Sequence, residues 1–389
     1  MQKSLKFSNK TKDAIIICVF VFLCAGIFSL DIFHVSPAQK GEKVKSEVVE
    51  VDNSTITNVG LVSQGEQRLK LKILQGRFEG KIFDAVNLQR SQMELDKIFE
   101  VGDIAIASIP DNADENTTIN AQDHYRIDWT IALFVLFSIL LVAFGGMVGA
   151  KSLISFVFSC ALIWKLVVPL CLHGYNAVLI CFIAVMLLSA VIIFLVAGFT
   201  QKGFSAFCGT LLGVGASCAM GWFFTYIFKI NGAVMPYSQA LLYSGFPDLS
   251  ISDLYIGAIF LSSSGAVMDL SMDVAAGMEE LKLRNPKISS KHLLESGWRI
   301  GRSVVGTMST TLLLAYTGGY LTLMMTFVAN GVEPMDFINN PHVASELVKT
   351  LVGSFGLVLV APFTAIVGSV IFSSKKALTN NIKNRLLKG

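Results

Sequence analysis

The chain has 389 residues, of which 53% are hydrophobic and 15% are charged, and its formal net charge is +3. Because soluble globular proteins average about 25% charged residues, this composition excludes a soluble enzyme, a disordered chain and a secreted disulfide scaffold. Several apolar runs of 17 or more residues are long enough to cross a bilayer as helices, and together they predict a polytopic α-helical membrane protein.

Four lysines precede the first apolar run, which extends from Ala14 to Leu30. No small-x-small cleavage motif follows this run, so residues 1–30 are predicted to form a basic cytoplasmic N-terminus and an uncleaved transmembrane helix. A cleaved signal peptide is the less favoured alternative.

Residues 31–126 differ from the rest of the chain, since they hold 11 Lys/Arg and 16 Asp/Glu, a net charge of −5, and none of the seven cysteines. Short β-branched segments alternate there with turn residues, and three apolar residues alternate with two lysines between positions 69 and 73. The pattern predicts an extracytoplasmic β-rich domain, either a small OB-like barrel or a sandwich, that could bind a protein partner of the cell envelope. The predicted elements are strands at 44–51, 55–62, 67–75, 78–86 and 103–108, a short helix at 91–99 and a polar linker at 110–116.

Seven further apolar spans follow, which gives about eight transmembrane helices with both termini on one side. The inner segments of this topology each carry Lys or Arg, and the outer loops carry almost none, so both termini are predicted to be cytoplasmic. A seven-helix domain is therefore expected at 127–375, followed by a basic tail at 376–389. The spans cover residues 129–145, 152–172, 177–199, 204–228, 253–275, 300–328 and 348–372.

With the run from Ala14 to Leu30 counted as the first span, the sixth span covers residues 253–275. It contains two acidic residues, Asp269 and Asp273, one helical turn apart, and Asp269 lies about 24 Å along the helix from Asp253. With Ser262 they share a face that has no bulky side chain. A carboxylate inside a membrane costs several kcal/mol unless it meets a partner, water or a proton. The pair therefore predicts a cation or proton site that lines a cavity, in which the two neighbouring carboxylates keep one proton between them.

The alternative is that Asp269 forms an ion pair with Arg299 or Arg302, at the start of the seventh span, and locks two helices together. The same span carries Thr307 and Thr311 at four-residue spacing, a hydroxyl stripe suited to helix packing or to ion coordination. Two glycines at 318–319 predict a kink or break, a feature that often accompanies transporter binding sites.

Two further features of the membrane domain concern helix packing and charge. Small residues recur at every fourth position of the fifth span, a ladder that predicts close helix packing. Lys165 lies well inside the third span, where its side chain either extends to the outer surface or pairs with a carboxylate of the bundle. The ladder comprises Ser205, Gly209, Gly213, Ser217 and Gly221.

Motifs of ATP-driven pumps, zinc proteases and serine hydrolases do not occur in the sequence. The cysteines and histidines have no metal-ligand spacing, and no part of the chain has the dense basic face that nucleic-acid binding needs. We therefore expect no enzymatic activity, no cofactor, no metal and no nucleic-acid partner.

The stretches Gly257–Glu280 and Gly301–Tyr316 resemble the YibE/F family of bacterial multi-pass membrane proteins, as does Pro169 with the segment 174–176. The resemblance covers residues 127–375. It implies a protein of the bacterial cytoplasmic membrane that is described as a permease, and it brings no substrate or catalytic residue with it. We therefore expect a secondary-transport-like permease for a small ion or solute, and the alternative is a membrane scaffold for signalling or assembly.

Overall fold

The computed structural model describes residues 22, 25–27, 29, 41–114 and 117–373. Most of the predicted first helix and the basic tail at 376–389 lie outside these residues. The described part of the chain divides into two compact units, of which the first ends at Leu141 and the second begins at Val142.

The first unit is built on six strands, whose bounds are β1 (Glu42–Asp52), β2 (Thr57–Val59), β3 (Val62–Ile73), β4 (Ile82–Arg90), β5 (Ile104–Ile109) and β6 (Ile119–His124). The strand order is β1-β5-β6-β4-β3, and β1 also pairs with β3, so that these five strands close into a ring. The short β2 pairs with β3 outside the ring. The predicted barrel is therefore confirmed.

Alternation along the strands explains the barrel core. Leu69, Leu71 and Ile73 are at most 4% exposed, whereas the lysines between them are exposed. In β4 the same alternation buries Phe83 and Ala85. Strand side chains point to opposite faces in turn, so one apolar set fills the interior.

Two parts of the barrel differ from the sequence-based prediction. Residues 91–99 form turns and extended backbone and not a helix, and β6, which was not predicted, completes the ring. The buried Gln67 amide explains the first difference, because it accepts from the Phe99 N–H at 3.0 Å and donates to the Phe99 carbonyl at 2.9 Å. These bonds hold the end of the segment extended.

The second unit is helical, and its first helix begins in the preceding unit. The helices are α1 (Ile127–Leu162), α2 (Val168–Leu172), α3 (Ala177–Ala197), α4 (Gln201–Ile227), α5 (Ser238–Tyr243), α6 (Ile251–Arg284), α7 (Ser290–Gly319), α8 (Leu321–Ala329), α9 (Pro334–Asn339) and α10 (Pro341–Ser373). Within the described chain, five helical segments are long and apolar enough to cross a membrane, or six when the bent pair α7–α8 counts as one span. The molecule is thus mostly helical, with the composition of a membrane protein.

The structure differs from the prediction between residues 127 and 172. Two spans separated by a turn at Lys151 were expected, but α1 continues past Lys151 and through a π-helical segment, Ile163–Val167, into α2. The interruption lies instead at Gly146, whose φ of 54° and ψ of −129° are not helical. Glycine tolerates this conformation because it has no Cβ.

The predicted break after Gly318 and Gly319 is confirmed, since α7 ends at Gly319 and α8 leaves it at an angle of 62°. Tyr320 lies at the break. Helix α10 packs against α4, α6 and α7, and α3 packs against α6 and α4.

Candidate functional site

The acidic face of α6 points away from the packed interior of the helical unit. Asp269 and Asp273 are exposed, whereas Phe260, Val267 and Leu270 on the opposite side of the same helix are fully buried. Ser262 is exposed on the acidic face. The sequence thus divides α6 into a packed apolar side and an open side that carries both carboxylates.

Helix α7 runs antiparallel to α6 along the acidic face. A Cβ on Gly277 would meet the Ile300 side chain at 2.7 Å, and the Ser262 hydroxyl lies 3.0 Å from the Tyr316 hydroxyl at the other end of the seam. Since the two helices are antiparallel, these two contacts place Asp269 at the level of Met308 and Ser309.

The hydroxyls that were predicted to accompany the carboxylates donate to their own helices. Thr307 Oγ1 donates to the Val304 carbonyl at 3.0 Å, Thr311 Oγ1 donates to the Thr307 carbonyl at 3.0 Å, and Ser262 Oγ donates to the Ile259 carbonyl at 2.9 Å. Both threonines are exposed. Their oxygen lone pairs stay available as acceptors, which is the role that a bound cation requires.

Arg299 and Arg302 are also exposed, and no ion pair joins either of them to Asp269 or Asp273 among the residues that the structure describes. The helix-locking pair that was the alternative prediction is therefore not formed in this structure. The two carboxylates lie one turn apart, and Asp273 is the charged group that acts on Asp269 among the residues that the structure describes.

The small-residue ladder of α4 lies in the packed interior. Gly213 is so close to α6 and α10 that a Cβ there would meet Val360 at 2.9 Å and Val267 at 3.0 Å. Gly209 faces Thr364, and Ser217 donates to the Val352 carbonyl at 3.4 Å. All five ladder residues, Ser205, Gly209, Gly213, Ser217 and Gly221, are buried. Their contacts are those of close helix packing.

Lys165 is half-buried in the π-helical segment between α1 and α2. Such segments widen a helix locally and are frequent at functional sites. A role for this lysine as a charge partner stays a prediction.

Sequence reasoning missed an ion pair on α10. Glu346 was placed in an outer loop, but α10 begins at Pro341, so Glu346 and Lys349 both lie in its first three turns. The Lys349 ammonium donates to Glu346 Oε1 at 2.9 Å. The Glu346 side chain is only 15% exposed and the Lys349 side chain 22%. Asn340 before Pro341 was the available signal, because asparagine caps helices and proline favours their first position.

Comparison with known proteins identifies the helical part of the chain. Residues 133–374, more than half of the chain, match the model of the family described as YibE/F-like protein. The chain belongs to this family. The YibE/F-like region contains both carboxylates of α6, the hydroxyl stripe and the ion pair of α10, whereas the barrel lies outside it. No curated protein and no solved structure matches the chain.

Proposed function

We propose that the protein is a secondary-transport-like permease of the bacterial cytoplasmic membrane, which moves a small ion or solute and uses Asp269 and Asp273 as its cation or proton site. The observation that carries the proposal is that both carboxylates are exposed on the open side of an apolar helix, without a basic partner among the described residues.

The physical argument concerns the solvation of these carboxylates. A charged carboxylate in hydrocarbon is unstable unless water, a cation or a proton stabilises it, and no Arg or Lys of the described chain does so here. The remaining partners are water, a proton and a cation, and the last two are species that such a permease would carry. We propose that the hydroxyls of Ser262, Thr307 and Thr311 supply further neutral oxygen ligands along the path of the ion, and we propose no enzymatic activity.

The proposed topology has eight transmembrane helices, with cytoplasmic termini and the barrel outside. The segment from Ile127 to Leu172 has 46 residues, about 69 Å of helix, which is more than twice the thickness of a hydrocarbon core. The interruption at Gly146 divides it into two lengths of about 30 and 39 Å, each sufficient for one crossing.

The test compares the wild type with Asp269→Asn in liposomes that contain the full chain and a trapped pH-sensitive dye. We expect the wild type to dissipate an imposed proton or cation gradient. The variant should do so at least about tenfold more slowly, because the amide cannot exchange a proton or neutralise a cation. Asp253→Asn, at the first turn of the same helix, is the matched control and should retain the wild-type rate.

The thermal stability of each purified variant separates function from structure. Loss of flux at unchanged stability supports the proposal. Equal flux in Asp269→Asn and the wild type contradicts it, as does the absence of flux above empty liposomes for every cation tested.

A second function, a scaffold that binds a partner of the cell envelope, is favoured by a groove of about 570 Å³ on the barrel. Strands β4 and β6 pair only at residues 85–86 and 119–120, and the groove opens where they diverge. Its rim carries both charge signs, at Arg90, Asp96, Asp123 and Arg126. If the protein is a scaffold, Asp269→Asn should complement a strain that lacks the gene as well as the wild type does. The combination of Arg90→Glu and Arg126→Glu should fail to complement it.

A further inference from the structure

Helices α6 and α7 together expose two acidic and two basic side chains, and we call this part of the two helices the charged surface. Asp269 and Asp273 lie on α6, and Arg299 and Arg302 lie on α7. No ion pair joins the acids to the bases among the residues that the structure describes. A charged group inside a membrane needs such a partner, water or a proton, so lipid chains are an unsuitable cover for this surface.

The small residues beside these charges also distinguish the charged surface from a lipid-facing helix. Gly265 on α6 and Gly306 on α7 are exposed, and a Cβ at either position would have no atom within 4 Å. The exposed side chains of α1, in contrast, are bulky and apolar, as expected of lipid contact, for example Leu133, Leu140 and Phe144. Small residues on an exposed helix surface let the backbone of another helix approach closely. The charged surface therefore has the composition of a helix–helix interface.

The other apolar segments of the chain lack the charges that this surface needs. The run at 14–30 has no charged residue, and the first half of α1 has only Asp128. The charged surface itself carries two acids and two bases, so it is complementary to a second copy of itself. Its charges also lie at similar depth, because the antiparallel register of α6 and α7 places Arg302 about 4 Å along the helix axis from Asp273 and about 10 Å from Asp269.

We propose that the charged surface is the interface of a homodimer, in which Asp273 of each copy pairs with Arg302 of the other copy. Both copies insert into the membrane in one orientation, so their two-fold axis lies along the membrane normal and brings residues of similar depth together. The pair lies one turn nearer the predicted cytoplasmic end than Asp269, which keeps its proton or cation under the cover of the second copy. This last part rests on the proposed function, whereas the dimer itself does not.

The test measures association between two full-length copies that carry different affinity tags. The copies are co-expressed and extracted with their lipids into nanodiscs, and the fraction of the second tag that is purified with the first is measured. We compare the wild type, Asp273→Arg, Arg302→Asp, and a mixed pair in which one copy carries Asp273→Arg and the other carries Arg302→Asp. Native mass spectrometry counts the chains in each particle.

Matched and mixed copies of the charge variants should differ. Two Asp273→Arg copies place arginine against arginine, and two Arg302→Asp copies place aspartate against aspartate, so co-purification should fall at least about tenfold. In the mixed pair each contact joins an arginine to an aspartate, so co-purification should return to within about twofold of the wild type. An ion pair within one chain cannot give this result, because each copy of the mixed pair then has two charges of one sign.

Two further variants separate the interface from the fold. Lys287→Glu, in the exposed turn between α6 and α7, is the charge-reversal control and should associate like the wild type. Gly306→Leu adds a side chain where a single copy has open space. It should therefore leave the thermal stability unchanged and reduce co-purification at least about tenfold, because it holds the two copies apart. This variant decides the question if the charge variants do not fold.

Wild-type tags that do not co-purify would overturn the proposal and leave the charged surface to lipid headgroups or to another segment of the chain. Equal co-purification of the wild type and either charge variant would overturn it too, as would a mixed pair that associates no better than the matched variants. Association that survives Gly306→Leu would place the interface elsewhere. Loss of flux in Asp269→Asn of a monomeric protein would retain the proposed transport function without the dimer.

Discussion

Single side chains fix the irregular parts of the barrel. Asp96 accepts hydrogen bonds from the backbone N–H of Arg90 at 3.0 Å and of Gln92 at 2.7 Å, and so holds the turn that follows β4. The bond from Arg90 is the main reason why the pKa of this carboxyl lies below its ordinary value of 3.8. The turn is therefore stabilised by the ionised form.

This dependence predicts how the turn responds to acid. Because the pKa is lower in the folded state, the stabilisation is complete above about pH 4, the ordinary pKa of aspartate, and is lost as the pH falls through the lowered value. Hydrogen exchange of the Arg90 and Gln92 amides, corrected for intrinsic rates, should accelerate in this acidic range.

Asp96→Asn is the control for this response. It should exchange faster than the wild type at neutral pH and show little further change on acidification. A wild-type turn whose protection stays constant from pH 7 down to the pH of global acid unfolding would contradict the role of Asp96.

At the scale of the helix, the glycines of the α4 ladder differ in how much space surrounds them, a difference that the residue type alone does not predict. Gly213 has no room for a Cβ, whereas the nearest atom to a Cβ on Gly221 is a Val352 methyl at 3.6 Å, an ordinary contact distance. Both glycines are buried in the same helix. The same substitution should therefore have opposite effects at the two positions.

We expect Gly213→Ala to destabilise the protein by about 1–2 kcal/mol, since overpacking costs more than the gain in helix propensity. Gly221→Ala should be neutral or stabilising by up to about 1 kcal/mol, because alanine favours the helix and meets no clash. Thermal unfolding of the two purified variants measures the difference. Equal losses of stability would mean that the ladder does not set the helix spacing.

Periodic elements were predictable, and irregular ones were not. Alternation in β3 and the four-residue spacing in α4 are repeated over several turns or pairs, so each was visible in the sequence. The break at Gly146 was not, because several glycines occur in apolar spans and only tertiary structure selects one. The short β6 has only six residues and too few apolar positions to show a period.

The same contrast applies to the candidate site. Asp269 and Asp273 were identified because charges are rare in an apolar span. Glu346 was missed because it lies at a helix start, where hydropathy places a loop. Its partner Lys349 lies within the predicted span, but only the fold places Tyr320 and Phe337 together with Glu346 in the lining of one cavity of about 160 Å³.

At the scale of the whole molecule, the predicted orientation can be tested by labelling intact cells with a membrane-impermeant maleimide. Glu94→Cys on the barrel should be labelled above the wild-type background, because this domain is predicted to lie outside. Lys287→Cys, in the exposed turn between α6 and α7, should be labelled only after the membrane is permeabilised. The reverse pattern would invert the topology and place the α6 carboxylates near the outer surface.

Tyr320 lies at the break between α7 and α8 and also in the wall of the cavity beside this break. The angle between α7 and α8 and the volume of the cavity are therefore expected to change together. A molecule bound in the cavity would hold α7 and α8 at their bent angle, and straightening of the two helices would release it. By thermodynamic reciprocity, each of these events would report on the other.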